Sequence, residues 1–272
     1  MRPLLIIDAP NLAHASFHVT GHLHNGVIYG VLSKIGFLAK LFRSNRFVFC
    51  FDRGQPKRVT LCPGYKANRV YTEEQAAGRA KLHGQLRKLR KEVLPALGFA
   101  NVFAAQGYEA DDLIAAIADD CRCEAIIVST DRDLYQCIGN SVNGRSVSVF
   151  RPVPGELIDL EKFRSMYEIE PRQWADVKAL AGCKSDGVKG IKGVGEKTAC
   201  RFMAKTLAGH TATYTKIAKQ AGPIFKQNLG LVALPFDGTP TPELQEDRLT
   251  EKRWSKATKG LGMASLRWPG DF

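Results

Sequence analysis

Pro3-Leu4-Leu5-Ile6-Ile7 runs into Asp8, Arg46-Phe47-Val48-Phe49-Cys50-Phe51 runs into Asp52, and Ala125-Ile126-Ile127-Val128-Ser129-Thr130 runs into Asp131. Each run has the length and continuous apolar character of a buried strand, and each ends on a carboxylate. Amphipathic helical patterns lie between them. Alternating strands and helices argue for an α/β fold whose parallel sheet is covered on both faces. Ligands of such sheets bind beyond the carboxyl ends of the strands. Acids delivered there by three strands would meet in one crevice, although they are far apart in the chain.

The 272 residues are enough for one large domain or two smaller ones with a substantial core. Lys and Arg outnumber Asp and Glu by 39 to 27, and a formal charge of +12 suits a polyanionic partner, nucleic acid first. No apolar run approaches the ~20 residues that span a bilayer. The run Leu4 to Ile7 stops at Asp8, too soon for the core of a signal peptide. A cytoplasmic protein with no membrane partner is expected. The seven cysteines form no disulfide framework or paired zinc-knuckle spacing, and Cys121 with Cys123 is a lone C-x-C, so reduced thiols are expected.

Thr72 to Leu97 is expected to be helical. It opens on a capping box, Thr72 to Gln75, and carries Leu82, Leu86, Leu89, Val93 and Leu97 on one face. The other face holds Arg79, Lys81, Arg87, Lys88, Arg90 and Lys91, a pattern that by itself reads as a solvated helix face, with a phosphate-facing role as the alternative that the pattern alone does not favour. Arg145 to Arg151 suggests a further strand, and from Leu157 the pattern turns helical. A boundary near residue 155 therefore divides a core, 1–155, from a helical module and tail, 156–272. The tail from Thr239 mixes Pro, Gly and charge and suggests no structure.

Glu109-Ala110-Asp111-Asp112 opens an apolar helical stretch, and alone it reads as a capped helix start. Asp131 and Asp133 alone read as a turn. With Asp8 and Asp52 they make seven carboxylates at one end of one sheet, where repulsion costs stability unless cations are present. An all-oxygen site suits Mg²⁺, with Mn²⁺ able to substitute, whereas zinc recruits His or Cys. His14, His18, His22 and His24 read as polar decoration of a loop or helix. Two divalent ions ~4 Å apart activate water and stabilise a leaving oxygen, and phosphodiester hydrolysis fits.

Gly190-Ile191-Lys192-Gly193-Val194-Gly195-Glu196-Lys197-Thr198 reads as a glycine-rich hairpin entering a helix. No strand is expected before it, which disfavours a dinucleotide site, and Walker A spacing is absent. Helix N-terminal amides and the nearby lysines suit a hairpin that tracks duplex phosphates, and a tight helix-helix turn is the plainer reading.

These residues together resemble the bacterial and phage 5′-nucleases related to flap endonucleases and to the 5′-nuclease domain of DNA polymerase I. The match runs in order through Ile7-Asp8, Asn25 to Gly30, Phe51-Asp52, Tyr65 to Arg69, Glu109 to Asp112, Ser129 to Leu134, Ser185-Asp186 and Gly190 to Ala199. It covers about residues 3 to 235. The resemblance implies a PIN-like nuclease core with a helical arch, a C-terminal helix-three-turn-helix module, and cleavage of DNA at 5′ ends, nicks or flaps in replication and repair. It implies Asp8, Asp52, Glu109, Asp111, Asp112, Asp131, Asp133 and Asp186 as metal-binding acids and Lys66 and Arg69 as catalytic cations. It also implies DNA contacts from Tyr65, Lys189, Gly190, Lys192, Gly193, Gly195, Lys197 and Thr198, K⁺ at the hairpin, RNA primers as further substrates, and a monomer. As a lone lysine in a turn, Lys66 would read as plain surface.

One departure stands out. The family places Gly-Asp where this chain has Gly182-Cys183, followed by Lys184, and Asp-Asn where it has Asp186-Gly187. The missing acid belongs to the surroundings of the second metal. The chain shows no polymerase and looks like a stand-alone enzyme. The competing expectations are a catalytically weakened DNA-binding protein and a PIN-type ribonuclease, and Gly190 to Thr198 argues against the latter.

Overall fold

The computed structural model describes residues 2–270. The elements run β1 Leu4–Asp8, α1 Ala9–Thr20, α2 Gly26–Phe42, β2 Phe47–Cys50, α3 Arg58–Leu61, α4 Glu73–Lys88, α5 Leu94–Leu97, β3 Val102–Phe103, α6 Ala110–Asp120 and β4 Ala125–Val128. They continue with β5 Gly139–Asn140, β6 Ser146–Arg151, β7 Glu156–Ile158, α7 Leu160–Tyr167, α8 Trp174–Ala181, β8 Gly182–Cys183, β9 Val188–Lys189, α9 Glu196–Met203, α10 Ala212–Val232 and α11 Glu251–Gly260.

The three runs that end on acids are the centre of the sheet. Its order is β3-β2-β1-β4-β6-β5, with β7 on β6. The pairs β1–β2, β1–β4, β2–β3 and β4–β6 are parallel, while β5 and β7 run antiparallel to β6. Successive strand residues point to opposite faces, and both faces are buried. Leu4, Ile6, Val48, Cys50, Ala125 and Ile127 pack with α6 and with residues as far along as Trp174 and Ile217. Leu5, Ile7, Phe47, Phe49, Ile126 and Val128 pack under α1, α2 and α4. The continuous apolar runs follow from this double coverage.

β1 hands its last residue directly to a helix. Asp8 is the N-cap of α1 and accepts the Asn11 amide at 3.0 Å, with Pro10 in the first turn. The helical stretch that opens with α4 begins on the Thr72–Gln75 capping box, passes through a π turn at Leu89–Val93, and ends after α5 at Gly98 in the left-handed region. A two-residue strand, β9, precedes the glycine-rich hairpin where none was expected. It pairs antiparallel with β8 in a ladder too short to read as a strand in sequence, and it lies outside the parallel sheet.

The tail, of which Asp271 and Phe272 lie outside the described residues, is ordered by tertiary contacts. The Arg248 amide donates to Gly98 O at 2.7 Å, and Asn101 exchanges hydrogen bonds with the Gln245 backbone at 2.8 Å in both directions. These bonds close the backbone groups left open at the end of α5. Trp254 of α11 is 1% exposed, stacks edge-on with Trp268, and donates its indole N–H to Leu266 O at 3.0 Å. Trp254→Ala is expected to cost about 3–5 kcal/mol, the range for emptying a buried aromatic site. Urea unfolding checks this; a loss below ~1 kcal/mol would mean the tail is not part of the core.

Candidate active site

A cavity of about 400 Å³ opens beyond the carboxyl ends of β1 and β4 and is lined by Glu109, Asp111, Asp131, Asp133 and Asp186 among others. Each acid is placed by a local device. Asp8 is fixed by Asn11 and by the Ser129 hydroxyl, which donates to its Oδ2 at 2.7 Å. Asp131 starts a 3₁₀ turn and accepts the Asp133 amide at 2.9 Å, while its own amide donates to Ser129 Oγ at 3.0 Å. Asp52 accepts the Ala110 amide at 2.8 Å and so ties the end of β2 to the start of α6.

Burial sets the charge balance. Asp8 is pushed up to about 7 by burial and by Asp52 and Asp131, against the pull of its two hydrogen bonds. Burial likewise holds Asp111 well above the ordinary carboxylate range, with Asp8 and Asp131 adding to the effect. Its carboxylate accepts no hydrogen bond among the described residues, so a cation is the partner its chemistry calls for. Asp8, Asp111 and Asp131 offer the oxygen donors a hard divalent ion takes, although among the described residues the three-donor set that lies within 4.8 Å is Asp133, Cys183 and Asp186 instead.

The structure does not use all expected ligands alike. Asp112 is fully buried and held in a two-pronged pair by Arg58 at 2.7 Å on each oxygen, while it also accepts the amides of Glu109 at 3.1 Å and Phe236 at 2.9 Å. It anchors α6 and does not itself line the cavity. Tyr65, expected at the DNA surface, is 6% exposed and donates its hydroxyl to Glu109 at 2.9 Å. Arg58 carried no signal in sequence, since a cation in an irregular segment looks like surface. In place it also bonds Glu109 at 3.2 Å and Leu231 O at 3.0 Å.

Lys66 sits in the left-handed region at φ 57°, which costs about 1–2 kcal/mol outside glycine. The turn is held because the Lys66 amide donates to Asp186 O at 2.8 Å, and Arg69 bonds Asp186 Oδ1 at 2.8 Å. Gly187 packs on the same turn: a Cβ there would lie 2.8 Å from Gly64 O at φ 73°. The Lys66 ammonium bonds Glu109 and lies 3.8 Å from Asp186. Burial opposes its charge, but Glu109 and Asp186 outweigh this and raise its pKa.

Lys178 of α8 was missed in sequence, although a single cation within Trp174 to Ala181 was a usable signal. It is 7% exposed and lies 2.8 Å from Asp133 and 3.1 Å from Glu196. Asp133, Cys183 and Asp186 offer donor atoms within 4.8 Å of one another. The Cys183 thiol contacts Ser185 Oγ at 3.0 Å and Asp186 at 3.4 Å, and burial raises its pKa, so it stays protonated near neutrality. In the hairpin, Ile191 and Val194 are buried while Lys189, Lys192, Gly193, Gly195 and Lys197 are exposed. At Gly190 a Cβ would lie 2.2 Å from Ala181 C, so close packing against the end of α8 itself requires glycine there.

A family model described as "5′-3′ exonuclease, N-terminal resolvase-like domain" matches residues 3–168. A 5′-3′ exonuclease of Streptomyces coelicolor is 35% identical over 250 residues, 81% of each chain. The thermostable DNA polymerase I of Thermus aquaticus is 32% identical over 209 residues, covering 74% of this chain and 23% of the polymerase. A flap endonuclease of bacteriophage T5, crystallised with DNA and metal ions, shares the fold with a TM-score of 0.69 at 22% identity over 97% of this chain and 100% of that one.

Asp8 and Asp111 are harder to ionise in the folded protein than in an unfolded chain. The stability they contribute is therefore complete below the ordinary carboxylate range and is lost as the pH rises towards about 7. In EDTA the melting temperature is expected to fall between about pH 5 and about pH 8, and Mg²⁺ is expected to raise it more at the higher pH, since cation and proton compete for the same oxygens. Thermal melts at both values check this; an equal Mg²⁺ effect would place the cation elsewhere.

Proposed function

The chain belongs to the 5′-3′ exonuclease family, and on that premise we propose that it hydrolyses DNA phosphodiester bonds at 5′ ends, nicks and flaps with Mg²⁺ at the acidic cavity. The observation that carries the reading is one cavity walled by Glu109, Asp111, Asp131, Asp133 and Asp186 with Lys66 and Arg69 on its rim. Asp8, Asp111 and Asp131, supported by Asp52 and Glu109, would hold one ion, and Asp133 and Asp186 a second. When bound, such ions supply an activated water and neutralise charge on the reacting phosphate. Asp112 serves by fixing the register of α6. Lys66 presents an ammonium where negative charge grows at the phosphate, and Arg69 offers a planar fork for its oxygens.

The segment from α8 through α9 supplies a helix-three-turn-helix grip on the duplex. Lys189, Lys192, Lys197 and Thr198 border the exposed Gly193 and Gly195, so backbone amides at the start of α9 can approach a phosphate, with K⁺ as a bridging ion. We assign residues 1–155 to chemistry and 156–272 to duplex binding, in a cytoplasmic monomer that also accepts RNA 5′ strands. Lys178 couples the two by holding Asp133 and Glu196 together.

Asp111→Asn is expected to keep the fold and lower turnover by orders of magnitude. Lys66→Ala should reduce the chemical step more than affinity, since its contact strengthens in the transition state. Lys192→Ala and Lys197→Ala should instead weaken binding and reduce the log-log salt slope by ~0.9 per lost contact. Single-turnover cleavage and salt-titrated binding on a 5′-labelled flap separate these outcomes, and near-normal turnover of Asp111→Asn would reject the site.

The donor set at Asp133, Cys183 and Asp186 includes a protonated thiol, a poor ligand for Mg²⁺. Cys183→Asp is therefore expected to lower the Mg²⁺ concentration for half-maximal cleavage and to narrow a preference for Mn²⁺. An unchanged metal titration would show that the thiol is silent.

A further inference from the structure

A groove of about 740 Å³, larger than the acidic cavity, lies between α11 and the helical stretch that opens with α4. Its walls are two helix faces that meet without interdigitating. Lys88, Glu92, Val93 and Ala96 fall on one face of the stretch that continues through the π turn into α5. Arg253, Lys256, Ala257, Gly260 and Leu261 repeat at helical spacing along α11 and its cap. The rotation of each helix is set from its other side, where Leu89 and Leu94 are buried in one case and Trp254 and Thr258 in the other. Small residues then leave the space between the walls open: Ala96 and Ala257 carry only a methyl group, and a Cβ at Gly260 would meet nothing within 4 Å.

The floor of the groove is apolar and its rim is basic. Val93 is buried and Ala257 and Leu261 are half-buried, while Lys252, Arg253 and Lys256 stand exposed along α11 and Lys88 lies across from them. Positive charge outnumbers negative four to one, since Glu92 is the one acid in the lining. Among the described residues none of the four cations has an acid within 4.0 Å, and Lys88 reaches only Asn25 at 3.4 Å. Such a surface leaves both apolar area and like charge without a partner. Nucleic acid would answer the charge alone, because its bases stack on aromatic rings and the groove has none. The position also separates it from the chemistry. The acids lie beyond the carboxyl ends of the strands, whereas the segment Leu244 to Leu249 that leads into α11 runs along the amino ends of β1 and β2. No residue lines both cavities.

We propose that the groove between α5 and α11 docks an acidic segment of a partner protein. A bulky apolar side chain of that segment sits over Val93, Ala257 and Leu261, and carboxylates beside it meet Lys88, Lys252, Arg253 and Lys256. An apolar anchor supplies the affinity and the charged rim supplies the steering and selection. The inference is independent of the nuclease reading, and it leaves the acidic cavity open while the partner is held.

The test uses the full chain and a fluorescein-labelled peptide in which a phenylalanine is flanked by aspartates, read by anisotropy at low salt. Two companion peptides carry serine in place of the phenylalanine or asparagine in place of the aspartates. A single-stranded oligonucleotide in EDTA is the probe for the rival occupant. Lys252→Ala/Lys256→Ala removes rim charge, and Ala96→Phe fills the groove from an exposed position without changing charge. Lys40→Ala/Lys81→Ala, two exposed lysines outside the groove, controls for net charge. The acidic phenylalanine peptide is expected to bind saturably, and each companion at least ~10-fold more weakly. Lys252→Ala/Lys256→Ala and Ala96→Phe are each expected to weaken it at least ~10-fold beyond the control pair, with unchanged melting temperatures. No saturable binding by the wild type, binding that ignores the phenylalanine, or binding that Ala96→Phe leaves intact would overturn the docking site. Loss of oligonucleotide binding in Lys252→Ala/Lys256→Ala with peptide binding unchanged would give the rim to nucleic acid and overturn it as well.

Discussion

Carboxylates crowded at one end of a sheet cannot all carry charge without positive partners, and much of this structure is an answer to that constraint. At 4 Å two like charges repel by about 4 kcal/mol in a partly screened protein environment. Three cations from three segments meet the demand. Arg58 neutralises Asp112, Lys66 reaches Glu109, and Lys178 reaches Asp133. Asp8 and Asp111, whose ionisation burial opposes, have no Lys or Arg within 4.0 Å among the described residues.

The partners also determine how the two ends of the chain meet. Arg58 bonds backbone carbonyls at Leu231 and Ala233 near the end of α10, so the acid that starts α6 and the helical region share one guanidinium. Asn68 and Arg69 bond carbonyls of Lys184 and Ser185 at 2.7 and 3.2 Å, which clamps the Lys66 turn to the segment before the hairpin. Through Lys178, Asp133 of the cavity and Glu196 at the start of α9 are one network. A displaced hairpin would thus move Asp133 and the groups around it.

The helical stretch from α4 to α5 is tied down at both ends by different means. A capping box begins α4, and the tail from Gln245 to Arg248 closes the backbone around Gly98 to Asn101 beyond α5. The helix between them has one face in the core and one over a cavity lined by Arg79, Arg87 and Arg90. Fixing its rotation is what turns a row of arginines into a concave surface.

Chain order and local pattern sufficed for the sheet and the positions of the acids. A parallel strand buried on both faces has to be apolar throughout, so Leu4 to Ile7, Phe47 to Phe51 and Ala125 to Val128 stand out, and the carboxylates that stop them are legible at the same places. The Thr72 capping box and the Gly190 to Thr198 hairpin were legible for similar reasons, since caps and turns are local. Which polar groups find each other depends on the folded arrangement. Arg58 meets Asp112 across 54 residues and Asn101 meets Gln245 across 144. Tyr65 turns inward, the tail acquires a structure, and Arg79, Arg87 and Arg90 gather around one concavity. Charge pairing and close packing act through space at a few ångströms, and chain spacing carries no record of them until the fold has set the distances.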